Sequence, residues 1–284
     1  MKTTIYRLLV TVLLIPSLTM AQQSDPDATQ SFGYAGLQYL SNNVYLGRKD
    51  SAGLSYITPL IGYHHRSGFY IQGGASYAPA STASRIDVVS LEAGYDFSLG
   101  SQFNGGFYAG KYFYDASSYA IRSEVNTSAG AYAQYDPGVV SLEAGISTQL
   151  GSATDWVAEG GLSREVDALD NRLSFTPGFK FNAGTQNFYD QYYKHGRSRN
   201  VHKRNRNGGG GATAVIQVVS ANAFTIMDYE ASLPVKYETN RWRLTFTPTY
   251  FIPVHPATLK VNNVLTSEAL QNSWVVQLEA VIKF

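Results

Sequence analysis

The residues with the most concentrated chemical potential lie in Lys194–Arg206 (KHGRSRNVHKRNR), which carries six Lys or Arg and no acid. Lys194, Arg197, Arg199, Lys203, Arg204 and Arg206 suit ion-pairing with phosphates or carboxylates. Nucleic acid is a poor match, because the aromatics that would stack on bases lie outside the patch. His195 and His202 sit in the same stretch, where a solvated loop histidine is commoner than a metal ligand. Gly105–Tyr112 has the Gly and Lys spacing of a phosphate-cradling loop, but Tyr112 stands where a hydroxyl for the metal is needed. The segment also alternates like a strand. Of His64, His65, His195, His202 and His255, none shares a strand with a Ser at i±2, as a lipid-facing catalytic pair requires. The residues therefore predict no enzyme, no cofactor and no metal.

The elements that must position these groups read as strands. The chain has 284 residues, no Cys, 21 Tyr, 14 Phe and 26 Gly, with 15% charged residues. Mean hydropathy is −0.17, too polar for a bundle of membrane helices. Met1–Ala21 has the parts of a secretory signal: Lys2 and Arg7, the apolar core Leu8–Ile15, the breaker Pro16, and small residues at Thr19 and Ala21. Its removal leaves 263 residues and takes the net charge from +1 to −1, so the +6 segment is set against −7 elsewhere. A polar N-terminal tail follows at 22–31. Beyond it, ten-residue segments alternate with period two. Leu173, Phe175, Pro177, Phe179, Phe181 and Ala183 share one face, and Ser174, Thr176, Gly178, Lys180 and Asn182 the other.

Twelve strands are predicted, near 32–40, 54–64, 69–78, 86–97, 104–114, 123–136, 139–150, 156–166, 172–185, 223–237, 242–254 and 272–284. Tight links (His65–Gly68, Ser98–Phe103, Pro137-Gly138, Asp167–Asn171, Glu238–Arg241) alternate with mostly longer ones at 41–53, 79–85, 115–122, 151–155, 186–222 and 255–271. That alternation, with an even strand count, predicts an all-β fold: an antiparallel up-and-down transmembrane β-barrel over 32–284, with a long basic outer loop at 186–222. A soluble sandwich is the alternative, but its core face calls for Leu, Ile and Val. Here the apolar face is heavy in Tyr, Phe, Ala and Gly. Aromatics near strand ends, Tyr39, Tyr63, Phe69, Tyr77, Phe97, Tyr112, Tyr114, Tyr135, Trp156, Tyr237, Trp242 and Trp274, suit the headgroup boundary. The polar face is expected to turn Glu92, Lys111, Glu124, Glu143, Glu159, Lys180, Glu230, Lys236, Arg243 and Glu279 inward. Of these, Glu92, Glu143, Glu230, Lys236 and Arg243 are the expected lumen lining. Thr58-Pro59, Thr176-Pro177 and Thr247-Pro248 each put a Pro on the lipid face, where bulges or bends are expected.

The final strand alternates Trp274, Val276, Leu278, Ala280, Ile282 and Phe284 on one face and ends on the aromatic. It resembles the C-terminal strand of Gram-negative outer-membrane β-barrel proteins, although Leu278 and Ala280 stand where a Gly is often seen. The resemblance implies recognition of Trp274, Ile282 and Phe284 by the barrel-assembly machinery, with both termini periplasmic and the long loops outside. Lipopolysaccharide is then the anionic partner within reach of the basic loop. Two functions fit: a small-solute channel or transporter, or a structural or ligand-binding barrel with its lumen closed by Glu–Lys/Arg pairs. The inward list favours neither.

Overall fold

The computed structural model describes residues 30–50, 53–79, 84–118, 120–194, 216–261 and 264–284. The expected signal peptide, nearly all of the N-terminal tail, and Arg197, Arg199, Lys203, Arg204 and Arg206 lie outside these residues. The wall consists of β1 (Phe32–Leu40), β2 (Tyr56–His64), β3 (Phe69–Ala78), β4 (Arg85–Leu99), β5 (Phe103–Tyr114), β6 (Val125–Tyr135) and β7 (Ser141–Gly151). It continues through β8 (Thr154–Ser163, resumed at Val166–Ala168), β9 (Leu173–Phe175, resumed at Gly178–Gly184), β10 (Thr225–Ser232, resumed at Val235–Glu238), β11 (Trp242–Pro253) and β12 (Ser273–Lys283). Each strand pairs antiparallel with its sequence neighbours, and β12 pairs with both β11 and β1. The sheet therefore closes as a twelve-strand up-and-down barrel with no free edge, the condition for a sheet to live in lipid. One end carries the tight turns; the other carries the long connections, of which 151–155 contracts to a tight turn after Gly151.

Period two puts the two chemistries on two sides of the wall. Leu37, Ile61, Ile71, Leu91, Phe107, Ile146, Leu162, Leu244 and Leu278 face outward and are exposed. Their neighbours along each strand face inward and, Leu60 apart, are polar residues, Tyr or Gly. The three Thr-Pro pairs coincide with breaks in the ladder, because proline supplies no amide hydrogen. The β2–β3 register skips Thr58 and Pro59, β9 is interrupted at Thr176-Pro177, and β10 breaks at Leu233-Pro234 opposite Pro248.

The wealth of Tyr and Gly has a common cause. Inward Tyr rings lie over the glycine directly opposite on the next strand: Tyr34 on Gly62 and Tyr70 on Gly94. A Cβ at Gly62 or Gly94 would collide with those rings. The same pairing places Tyr108 on Gly130 and Tyr132 on Gly106.

One strand corrects the expected facing. On β5, Phe107, Ala109, Lys111 and Phe113 point outward, whereas Tyr108, Gly110, Tyr112 and Tyr114 point inward. Lys111 is thus outside the lumen. Tyr112, buried at 4% exposure, and Tyr114 are lumen residues, not members of an interfacial girdle. The guanidinium of Arg122 lies 4.2 Å above the Tyr112 ring and holds it inward.

Candidate functional site

The inward carboxylates and cations meet along the lumen face, between strands one or two places apart. Near the turn end, His64 stacks between Phe32 and Tyr70 and brings Nε2 to 3.7 Å from Asp96, whose Oδ1 accepts the Tyr132 hydroxyl at 2.5 Å. Glu92 Oε1 accepts from Gln72 at 3.0 Å and from Tyr70 at 3.3 Å, and Tyr34 donates to Gln72 at 2.8 Å. Further round the wall, Lys180 Nζ lies between Glu230 at 3.5 Å and Glu159 at 3.7 Å. Asn182 donates to Asp228 at 2.7 Å and to Glu230 at 2.6 Å. Glu143 accepts from Ser163 at 3.1 Å. Lys236 pairs with Glu165 at 3.2 Å, and Arg243 with Glu279 at 3.8 Å.

These groups are packed, not hydrated. Glu92 is 8% exposed, Glu230 3%, Arg243 4%, and Asn182 and Asp228 0%. A cavity of about 30 Å³ bordered by Glu143, Ser163, Thr176, Lys180 and Glu230 has room for little more than a water. Charges taken out of water are tolerated only when paired and hydrogen-bonded, so these contacts brace neighbouring strands of the wall against one another.

The loop end is plugged by its own connections. Val44–Tyr45 and Arg48–Lys49 form a miniature hairpin whose turn, Leu46-Gly47, reaches down to Asp228 and Pro253. Tyr45 and Leu46 join Ile121, Val125, Val157, Phe188, Tyr189, Tyr192, Val218, Met227 and Ala257 in one apolar cluster across the mouth. The helix α1 (Asn187–Lys194) lies in the expected loop 186–222. Its first amides, Asn187 and Phe188, are capped by the Asp155 carboxylate at 2.7 and 2.8 Å. Asp190 accepts the Val218 amide at 2.8 Å and ties the helix to Ile216–Val219, which forms a small sheet with Thr258–Val261 and Val264–Ser267.

Arg48 locks these pieces together. Its buried guanidinium reaches Glu268 at 3.1 Å, donates to Gln186 at 3.0 Å, and lies 5.0 Å above the Tyr189 ring. Glu268 also accepts the Tyr189 hydroxyl at 2.6 Å and the Ala257 amide at 3.0 Å. The same hairpin is fixed from its other side by Asp50, which accepts from Asn43 at 2.8 Å and from the Ile121 amide at 3.0 Å. Burial pushes the Asp50 carboxyl up to about 7, against the two hydrogen bonds that favour its charged form.

The expected site residues distribute as follows. Glu92, Glu143, Glu230, Lys236 and Arg243 all lie on the inward face, in the contacts given above. Lys194 closes α1 through an ion pair with Asp190 at 2.5 Å. Trp274 and Ile282 lie on the outward face of β12, and Phe284 exchanges both backbone bonds with Gly33. His65 and Ser67 share a hydrogen bond of 2.8 Å within an exposed turn. His255 bonds the Ile226 carbonyl at 2.7 Å. No group of three or more His, Cys, Asp or Glu suited to a metal occurs among the described residues. Sequence reasoning missed Arg48, Asp50 and Glu268, which build the plug.

A closed antiparallel wall, apolar outside and polar within, defines this chain as a transmembrane β-barrel. It is a twelve-strand barrel of the outer-membrane type, with tight turns at one end and long connections at the other. No family model matches the chain, and no curated protein does either. Among solved structures it is similar to KdgM porin, with 9% identity over 89% of this chain and 99% of that one and a TM-score of 0.47. It is also similar to the COG4313 outer membrane channel from Pseudomonas putida F1, with 12% identity, 92% and 98% coverage and a TM-score of 0.48. LpxR from Salmonella typhimurium gives 8% identity, 88% and 99% coverage and a TM-score of 0.44.

Proposed function

We propose that this protein is an integral barrel of a Gram-negative outer membrane that works from its loop end with its lumen closed, in a binding or structural role and not a catalytic one. The observation that carries the reading is the near-complete burial of Glu92, Gln72, Glu230 and Thr249 midway along the wall, and of Arg243 nearer its turn end. A water-filled pore would leave such side chains exposed. Reconstitution into a planar bilayer is the test: the wild-type protein is expected to give no steady conductance, and regular unitary steps would overturn the reading.

A second reading is favoured by one feature of the mouth. The plug is held by a polar latch, Arg48–Glu268, above a lumen lined with charge. A small-solute channel that conducts only when the 44–49 hairpin withdraws has this construction. Wild-type silence together with conductance in latch variants would select it.

The remaining parts of the proposal rest on the sequence. Cleavage after Ala21 leaves Gln22 as the first residue, which N-terminal sequencing of the membrane-bound form checks. Both termini then lie in the periplasm and the long loops outside. Arg197, Arg199, Lys203, Arg204 and Arg206 contact lipopolysaccharide, while Lys194 is engaged by Asp190. Deleting 195–211 should abolish salt-sensitive binding of the loop end to lipopolysaccharide; unchanged binding would end that part. Trp274, Ile282 and Phe284 serve as the signal read by the barrel-assembly machinery.

A further inference from the structure

We infer that Lys111, Asn126 and Thr127 form a phosphate-binding site for a lipid headgroup on the outer wall of the barrel. Among the described residues, Lys111 is the one charged side chain at a lipid-facing position of the twelve strands. A cation on that face is costly at the bilayer centre and nearly free at the headgroup level. The strand itself places Lys111 near the loop end. It is the ninth of the twelve residues of β5 counted from the turn end, and Phe113 is the one outward residue of the strand beyond it. At the same end of the wall Trp156 is half exposed close to the start of β8, where an indole marks the membrane boundary. From there the long stem of Lys111 carries its ammonium toward the lipid phosphates.

The site is built by a backbone irregularity. Consecutive residues of a regular strand face opposite sides, yet Asn126 and Thr127 both meet Lys111. Nζ donates to Asn126 Oδ1 and to Thr127 Oγ1, each at 3.1 Å. This is possible because β6 carries a bulge between Val125 and Thr127, and bulges re-aim side chains. Thr127 donates in turn to Asn126 Oδ1 at 3.0 Å. The consequence for recognition follows by counting donors. Asn126 Oδ1 and Thr127 Oγ1 each already accept a bond from the ammonium. What the triad still offers is one ammonium N–H and the two amide N–H of Asn126, all donors. Among the described residues no carboxylate pairs with Lys111. A cluster presenting three donors and a positive charge at this depth fits an anionic phosphate oxygen.

The inference rests on the wall lying in lipid. A failure of that premise would show as a protein that stays in solution without detergent, which is distinct from any result below. The test uses the full mature chain in detergent micelles, with retained lipids counted by native mass spectrometry. Phosphatidic acid and diacylglycerol of equal chain length are the two probes. Lys111→Gln is expected to weaken retention of phosphatidic acid about fivefold and to leave diacylglycerol unchanged. Asn126→Ala should act in the same direction, with barrel mobility on unheated gels unchanged. If Lys111→Gln does not assemble, Thr127→Val, which frees the ammonium from its orienting oxygen, carries the same expectation. Equal retention of phosphatidic acid by wild type and variants overturns the inference. So does displacement of the lipid by millimolar inorganic phosphate, which would make the site one for a soluble anion.

Discussion

Breaking the Arg48–Glu268 latch should unseat the plug, and the size of the effect can be worked from its contacts. In Arg48→Met the apolar stem is kept, while the ion pair at 3.1 Å, the bond to Gln186 and the stacking on Tyr189 are lost. Breaking a buried pair costs roughly 3–5 kcal/mol, chiefly because the remaining charge is stranded. Glu268 would not be wholly stranded, since the Tyr189 hydroxyl and the Ala257 amide still donate to it. The lower figure applies, about 3 kcal/mol, which moves the ratio of seated to unseated hairpin by roughly 150-fold. Glu268→Gln leaves the guanidinium with only neutral partners and should cost at least as much. Because the two residues share one interaction, the double variant should cost less than the sum of the singles, with a coupling of about 1–3 kcal/mol. The assay is cutting after Lys49 by a lysine-specific protease, whose rate tracks the unseated population when reclosing is fast. Both singles cutting at the wild-type rate would refute this account of the mouth.

Three further outcomes follow from neighbouring features. Asp50 has its carboxyl raised from 3.8 to about 7 by burial, so the native plug holds a proton that the released loop does not. Its contribution is full below about pH 4 and is lost as pH rises through about 7. The thermal midpoint of gel mobility should therefore fall between pH 5 and pH 8, and Asp50→Asn should remove much of that fall; an unchanged pH dependence in the variant would exclude Asp50 as the cause. Gly47→Ala places a Cβ 2.7 Å from Asp228 and 2.9 Å from Pro253 at a φ of +75°, so the hairpin turn should be expelled and cutting after Lys49 accelerated about tenfold or more. In the lumen, Arg243→Met leaves Glu279 buried without its cation. It should lower barrel stability by about 3 kcal/mol in urea titrations monitored by gel mobility, with Arg243→Met/Glu279→Met recovering part of the loss.

The wall was legible because a strand buried on one side and lipid-facing on the other must alternate. Every predicted strand corresponds to one in the barrel, and the three Thr-Pro pairs fall where the ladder breaks. β5 shows where that logic fails. Both of its faces carry rings, Phe107 and Phe113 on one and Tyr108 and Tyr112 on the other, and Tyr suits either medium. Treating Lys111 as the inward marker therefore inverted the strand. The inward Tyr–Gly contacts, which depend on cross-strand register, settle it the other way. The plug was illegible for a different reason. Arg48 and Glu268 are 220 positions apart, and no periodicity links them. Helix α1 is capped by Asp155, a residue on another element, so NFYDQYYK carries no local start signal.

The seam between β1 and β12 has a consequence in time. Gly33 and Phe284 exchange their two backbone bonds at 2.8 and 2.9 Å, so the strand latest in the wall is paired with the earliest. Until β1 and β12 meet, any sheet the chain forms has two raw margins whose amides and carbonyls have nowhere to go but water or another chain. Closure of this one seam is what protects the wall from pairing with its neighbours. Its final step is a single event that converts two sticky borders into none.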